Sequence, residues 1–219
     1  IDRDSARRRK TLVDTLEGIR RGAHDILVGT QLLAKGHDFP GLSLVGVLNA
    51  DAALFSTDYR AAERLYATLA QVAGRAGRRA QQGEVLVQSR FGGHPLFRAL
   101  VSHDYAGFAA AQIEERRNAG FPPFAHEAVL RAEATELKTA LEFLTQASTL
   151  VAAPTGVELY DPVPHLVTRR AGMERARLLA QSRSRGALQG FLAQWNAAIA
   201  GMAPRNVRWH LEVDPIEFD

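Results

Sequence analysis

Apolar positions along the 219-residue chain recur with two spacings, and each change of spacing marks an element. Over residues 5–21, Leu12, Val13, Leu16 and Ile19 share one helical face behind Ser5 as N-cap. Asp25 to Val28 predicts a short buried strand ending at Gly29, and LSLVGVLN, residues 42–49, predicts a second strand. Tyr59, Ala62, Leu65, Tyr66 and Leu69 return to helical spacing, with Thr57 or Asp58 placed to cap. GEVLVQSRF, beginning at Gly83, predicts a third strand; residues 94–119 predict two helices, with Pro95 suited to a first turn. Strands alternating with helices argue for an α/β layer structure with a mostly parallel sheet. In such sheets ligands sit beyond the carboxyl ends of the strands.

AGFPPF, residues 119–124, interrupts this pattern, because its paired prolines cannot continue a helix. The expected domains are therefore 1–120 and 121–219. Beyond the break the pattern predicts strand 128–134, helix 136–151, strand 157–160, strand 175–181, helix 184–200 and strand 206–213. That is a smaller α+β domain of β-α-β-β-α-β order. In the last strand Val207, Trp209, Leu211 and Val213 alternate onto one face. No segment repeats internally.

Composition narrows the classes. No apolar run approaches the roughly 20 residues of a membrane span, so no membrane partner is expected. There is no cysteine, which excludes disulfides and thiolate metal sites and fits a reducing, cytoplasmic setting. The seven histidines form no pair at metal-ligand spacing, so no metal is expected within this chain. Among 27 basic residues only Lys10, Lys35 and Lys138 are lysine. Arginine favours bidentate phosphate contact, although genomic base composition alone produces the same bias. The first residue is Ile1 and the chain opens on IDRDSARRRK, which suggests a piece of a longer protein.

Two strings carry candidate chemistry. In QVAGRAGR, residues 71–78, Gln71, Arg75 and Arg78 stand about one helical turn apart, with Gly74 and Gly77 between them. Guanidinium groups so placed suit the negative charge that grows on a transferring γ-phosphate. The plainer reading is a basic helix end capping its own carbonyls. In GTQLLAKGHDFP, residues 29–40, Thr30 and Lys35 suit nucleic-acid phosphates and Asp38 a ribose hydroxyl. Here the plainer reading is a strand-to-loop crossing that needs Gly36 for its backbone. Trp195 and Trp209 are stacking candidates by type, but their helical and strand spacing favours the core. Arg169, Arg170, Arg175 and Arg177 suggest a basic hairpin, with a solvated strand edge as the competing reading.

Together, AKGHDFP, LNADAALFSTDYRAAER, QVAGRAGR and the terminal VDP resemble the primosomal replication-restart DNA helicases of superfamily 2, nearly end to end. The resemblance implies a RecA-like second helicase lobe over 1–120 followed by a C-terminal domain over 121–219. It implies a 3′→5′ DNA helicase that recognises stalled forks and restarts replication by primosome assembly. Its ATP site, with Mg²⁺, would be shared between this lobe and a first lobe. Gly36, Asp38, Gln71, Arg75 and Arg78 would face ATP, with Arg78 as arginine finger and Arg75 in support; Thr30 and Lys35 would face DNA. Arg185 and Gln189, four apart on one helix face, would receive the acidic tail of single-stranded-DNA-binding protein, a solvated helix start being the plainer alternative. Forked and single-stranded DNA and other primosome proteins would be further partners. Zinc is implied only in a Cys-rich insertion that these residues do not include.

No Gly-Lys pair and no Asp-Glu pair occurs, so the phosphate loop and the acidic Mg²⁺ box are not in these residues. The chain alone should therefore not hydrolyse ATP. An alternative is a non-catalytic DNA-binding or primosome-scaffolding descendant of a helicase. A generic superfamily 2 translocase is a third reading, against which NADAALFSTDYRAAER weighs.

Overall fold

The computed structural model describes residues 17–19, 21–29, 42–56, 58–74, 83–170, 172–204 and 206–216, and the chain divides into two compact units, Ile1–Gln112 and Ile113–Asp219. The class is α/β, with parallel pairing in the first unit and antiparallel pairing in the second.

In the first unit β1 (Leu44–Val47) leads into α1 (Ala50–Leu54) and α2 (Ala61–Ala73), and β2 (Glu84–Val87) returns parallel to β1. The register runs from Leu44 opposite Glu84 to Val47 opposite Val87. Parallel strands need a long crossover, which the two helices supply. α3 (Pro95–Val101) follows, and then α4 (Tyr105–Ala119), within which the division between the units falls. Pro95 opens α3 as expected, and His94 caps it by accepting from the Leu96 N–H at 3.2 Å. Leu54, Leu65, Tyr66, Leu69, Leu96, Phe97 and Phe108 form the core, with Tyr66 and Phe108 stacked 4.7 Å apart.

The expected buried strand at 25–28 is a correction. These residues are not in a strand, and Ile26 and Val28 are 83% and 80% exposed. Three apolar residues, Ile26, Leu27 and Val28, supply strand propensity but no ladder, and pairing rather than propensity makes a strand. The expected helix over 5–21 lies mostly outside the described residues; 17–19 are helical.

The second unit comprises β3 (His126–Ala134), α5 (Leu137–Thr149), β4 (Val157–Leu159), β5 (Val163–Arg170), β6 (Met173–Ser182), α6 (Arg185–Gly201) and β7 (Val207–Val213). Its sheet order is β4-β6-β3-β7, with β5 also paired to β6. The order is thus β-α-β-β-β-α-β, one strand more than expected. Pro162 and Pro164 obscure β5 in the sequence. The structure accepts them because, among the described residues, β5 pairs with β6 alone, and the ladder shifts register between Pro164 and Arg169. β4 and β5 share one side of the long β6, against 180–182 and 173–177 respectively. Gly172, at φ 82°, turns the chain between the paired Arg170 and Met173.

Helices cover one face of this sheet. Leu130, Ala132, Leu178 and Ala180 point into a core shared with Phe143, Leu144, Leu188, Phe191, Leu192, Trp195 and Ile199. Val207, Trp209 and Leu211 pack against it, as their alternation predicted, while Val213, the fourth of that set, is 41% exposed. Trp195 is fully buried, stacks on Phe191 at 5.3 Å, and donates Nε1–H to the Ala147 carbonyl at 2.7 Å. It is a core residue, not a stacking platform.

Trp195→Ala is expected to destabilise the second unit by about 3–5 kcal/mol through cavity formation. Trp195→Phe should cost far less in hydrogen bonding, about 0.5–1.5 kcal/mol, because the Ala147 carbonyl also accepts from the Leu150 N–H. Urea unfolding followed by far-ultraviolet circular dichroism checks both; equal losses would remove the cavity argument.

Candidate functional site

The first-unit site is built on α2, whose last turn carries Gln71, the first residue of QVAGRAGR. Its start is anchored by Asp58, 6% exposed. One Asp58 oxygen accepts from the Arg60 N–H at 2.9 Å, and the other contacts the Arg64 guanidinium. The Asp58 carbonyl accepts from the Ala61 N–H at 2.8 Å. Asp58 therefore holds the turn before the helix; Arg60, without a side-chain cap bond, occupies the cap position itself. Thr57 lies outside the described residues. Ala61, Leu65, Tyr66 and Leu69 bury one face of α2, and Gln71 is exposed in its last turn. Thr30, Lys35, Gly36, Asp38, Arg75 and Arg78 lie outside the described residues.

A second cluster, not singled out from the sequence, closes the carboxyl ends of β1 and β2. Asn49 adopts left-handed backbone (φ 54°) and donates its N–H to Gln88 Oε1 at 3.3 Å. The Ala50 N–H reaches the Gln88 carbonyl at 3.2 Å. Asp51 Oδ1 accepts from the Ser89 hydroxyl at 2.5 Å, and Oδ2 from the Arg90 N–H at 2.9 Å. These bonds, the Ser89 hydroxyl foremost, hold the Asp51 carboxyl below its ordinary value of 3.8; the positive charge of Arg90 adds to them. The sequence signal was polar Asn-Ala-Asp after one apolar strand and Gln-Ser-Arg after another.

In the second unit Arg185 opens α6, and Ser184 caps it by accepting from the Ala187 N–H at 3.2 Å. Arg185 and Gln189 are both exposed, while Leu188 and Leu192 face the core. An exposed helix start flanked by Arg183 and Arg185 favours negative charge.

The helix-free sheet face carries polar pairs beside the fully buried Val129. Glu127, 2% exposed, accepts from Gln181 Nε2 at 3.3 Å, and the same amide donates to the Gly120 carbonyl at 3.0 Å. Tyr160 donates its hydroxyl to Gln181 Oε1 at 2.8 Å. Burial, then the negative charge of Glu158, pushes the Tyr160 phenol up. Arg131 lies 3.2 Å from Glu212 and 3.3 Å from the buried His165. In the expected basic hairpin, Arg169 pairs with Glu174 at 3.8 Å and the register sets Arg175 opposite Glu133; the Arg170 side chain lies outside the described ones. These acidic neighbours make the hairpin a mixed-charge surface. Among the described residues no three His, Asp or Glu side chains gather into a metal-holding group, and no helix is long and apolar enough to cross a membrane.

Two family models match the chain: a helicase conserved C-terminal domain over residues 3–80 and a primosomal protein N C-terminal domain over 117–216. It is 42% identical over 217 residues to replication restart protein PriA of Haemophilus influenzae, covering 98% of this chain and 30% of that protein. The same-named Synechocystis protein is 34% identical over 221 residues, covering 100% and 26%. That of Bacillus subtilis is 38% identical over 148 residues, covering 64% and 18%. The chain thus spans under a third of the length of these relatives.

Because the Asp51 pKa is depressed in the folded state, its clamp is complete above about pH 4 and is lost as pH falls through that lowered value. Protection of the Arg90 amide, the exchange rate read by NMR relative to the intrinsic rate at each pH, should fall in that acid range. Asp51→Ala should lower it at neutral pH as well. Slow exchange in the variant would show that another acceptor holds the loop.

Proposed function

This chain belongs to the PriA family of replication restart proteins, and we propose that it serves as the C-terminal portion of an ATP-dependent 3′→5′ DNA helicase that restarts replication at stalled forks. The observation that carries the reading is the succession, in one chain, of a helicase C-terminal match and a primosomal C-terminal match. Residues 1–120 would form the second RecA-like lobe and residues 121–219 the C-terminal domain, working in the cytoplasm.

In this reading Arg78 places its guanidinium against the γ-phosphoryl oxygens as charge develops, and Arg75 supports it. Gln71, Gly36 and Asp38 line the same nucleotide edge. Thr30 and Lys35 lie toward the DNA track. Support for Gln71 comes from its exposure at the end of a helix whose start Asp58 anchors. The phosphate loop, the Mg²⁺-holding acids and any zinc-binding cysteines would be supplied by other parts of the protein, and these residues alone would not turn over ATP. Arg185 and Gln189 would receive the acidic tail of single-stranded-DNA-binding protein; the exposed, serine-capped start of α6 supports this. Forked DNA and other primosome proteins complete the partner set.

In the full-length protein, Arg78→Ala should lower DNA-stimulated ATP hydrolysis by about 10³-fold or more while nucleotide binding persists. Steady-state turnover with fluorescent-nucleotide binding checks this, and unchanged turnover would remove the finger assignment. Arg185→Ala with Gln189→Ala should weaken capture of an acidic C-terminal peptide, measured by fluorescence anisotropy. The wild-type affinity should fall with added salt, and the variant's less steeply.

A further inference from the structure

Arg60 sits where folding by itself disfavours a cation. It occupies the cap position of α2, at the positive end of that helix's dipole. Its half-buried side chain lies over the Tyr59 ring, with Cζ 4.3 Å from the ring centroid. Nη1 is buried and finds no acceptor among the described residues. A donor so placed has given up its water without a replacement. The neighbouring carboxylate does not serve it. Asp58 Oδ1 accepts from the Arg60 backbone N–H at 2.9 Å, and Oδ2 contacts the Arg64 guanidinium. Arg64, one turn further along α2, is therefore the arginine that anchors the turn, and Arg60 is the one left over.

We infer that the Arg60 guanidinium receives a phosphate group of a bound ligand. The inference rests on the helicase reading above, which brings this unit two phosphate sources, the DNA backbone and the nucleotide. A guanidinium presents its N–H groups in a planar fork that matches phosphate oxygens two at a time. The cation–π contact with Tyr59 holds that plane in advance, so little side-chain freedom is lost on binding. A phosphate supplies acceptors that the described residues withhold, and its charge suits the start of a 13-residue helix.

The test uses full-length protein and two pairs of probes. Single-stranded oligothymidylate is compared with its uncharged methylphosphonate counterpart, and a non-hydrolysable ATP analogue with adenosine. Arg60→Gln should weaken at least one charged probe by about tenfold and leave its uncharged counterpart unchanged. A loss on oligothymidylate, with the salt slope of binding reduced by about 0.7, assigns the site to the DNA backbone. A loss on the ATP analogue assigns it to the nucleotide. Arg60→Lys should recover part of the loss, because it keeps the charge and not the fork. Unchanged affinity for both charged probes overturns the inference. Equal losses on charged and uncharged probes overturn it as well, because they report damage to the lobe. DNA-stimulated ATP hydrolysis in the wild type, beside unchanged binding of both charged probes by Arg60→Gln, would leave the helicase reading standing and refute the phosphate site alone.

Discussion

A strand shows its side chains to two sides in turn, and a sheet is stable only when at least one of those sides is buried. In the second unit α5 and α6 take one side of the sheet, and the other carries the Glu127–Gln181 and Arg131–Glu212 pairs beside Val129. This division makes β3 alternate between Leu130 or Ala132 in the core and Arg131 or Glu133 opposite, and it sets the register of β6 and β7. A slip of one residue would drive Arg131 into the helices and Leu130 out of them. In the first unit Val47 and Val87 pack inward, while Leu44 and Leu86 on the alternate positions are about half exposed.

Carboxylates and amides tie down several of the loops. Asp58 binds the turn before α2, and Gln181 ties the Gly120 carbonyl to the sheet. A hydrogen bond to a charged group is worth about 1.5–3 kcal/mol when part-buried. An exposed ion pair such as Lys138 with Glu142, 3.7 Å apart, is worth about 0–1 kcal/mol. The comparison places loop order with these few buried acceptors rather than with the arginines of the surface.

The same economy links fold to function. α2 is 13 residues long, about 20 Å, so a constraint at Asp58 reaches Gln71 only because the helix between them is packed along Leu65, Tyr66 and Leu69. Rigid elements position groups that their own loops could not. Asp51 does the corresponding work at the strand ends, where it holds two loops that are 38 residues apart in sequence.

Local patterns were legible in the sequence: the alternation of Val207, Trp209 and Leu211, the helix over 184–200, Pro95 opening α3, and the break at AGFPPF. Each depends on residues within one turn or one strand of each other. The motif strings that mark the family are likewise contiguous. Only the tertiary structure could decide which apolar runs become strands. Residues 25–28 have the composition of a strand and are not one, while the proline-bearing segment 163–170 is one because β6 offers it an edge. The Asp51 clamp and the buried Glu127–Gln181 pair join residues 38 and 54 positions apart. No window of sequence contains such pairs, because strand register and crossover path, both products of the packed core, bring them together.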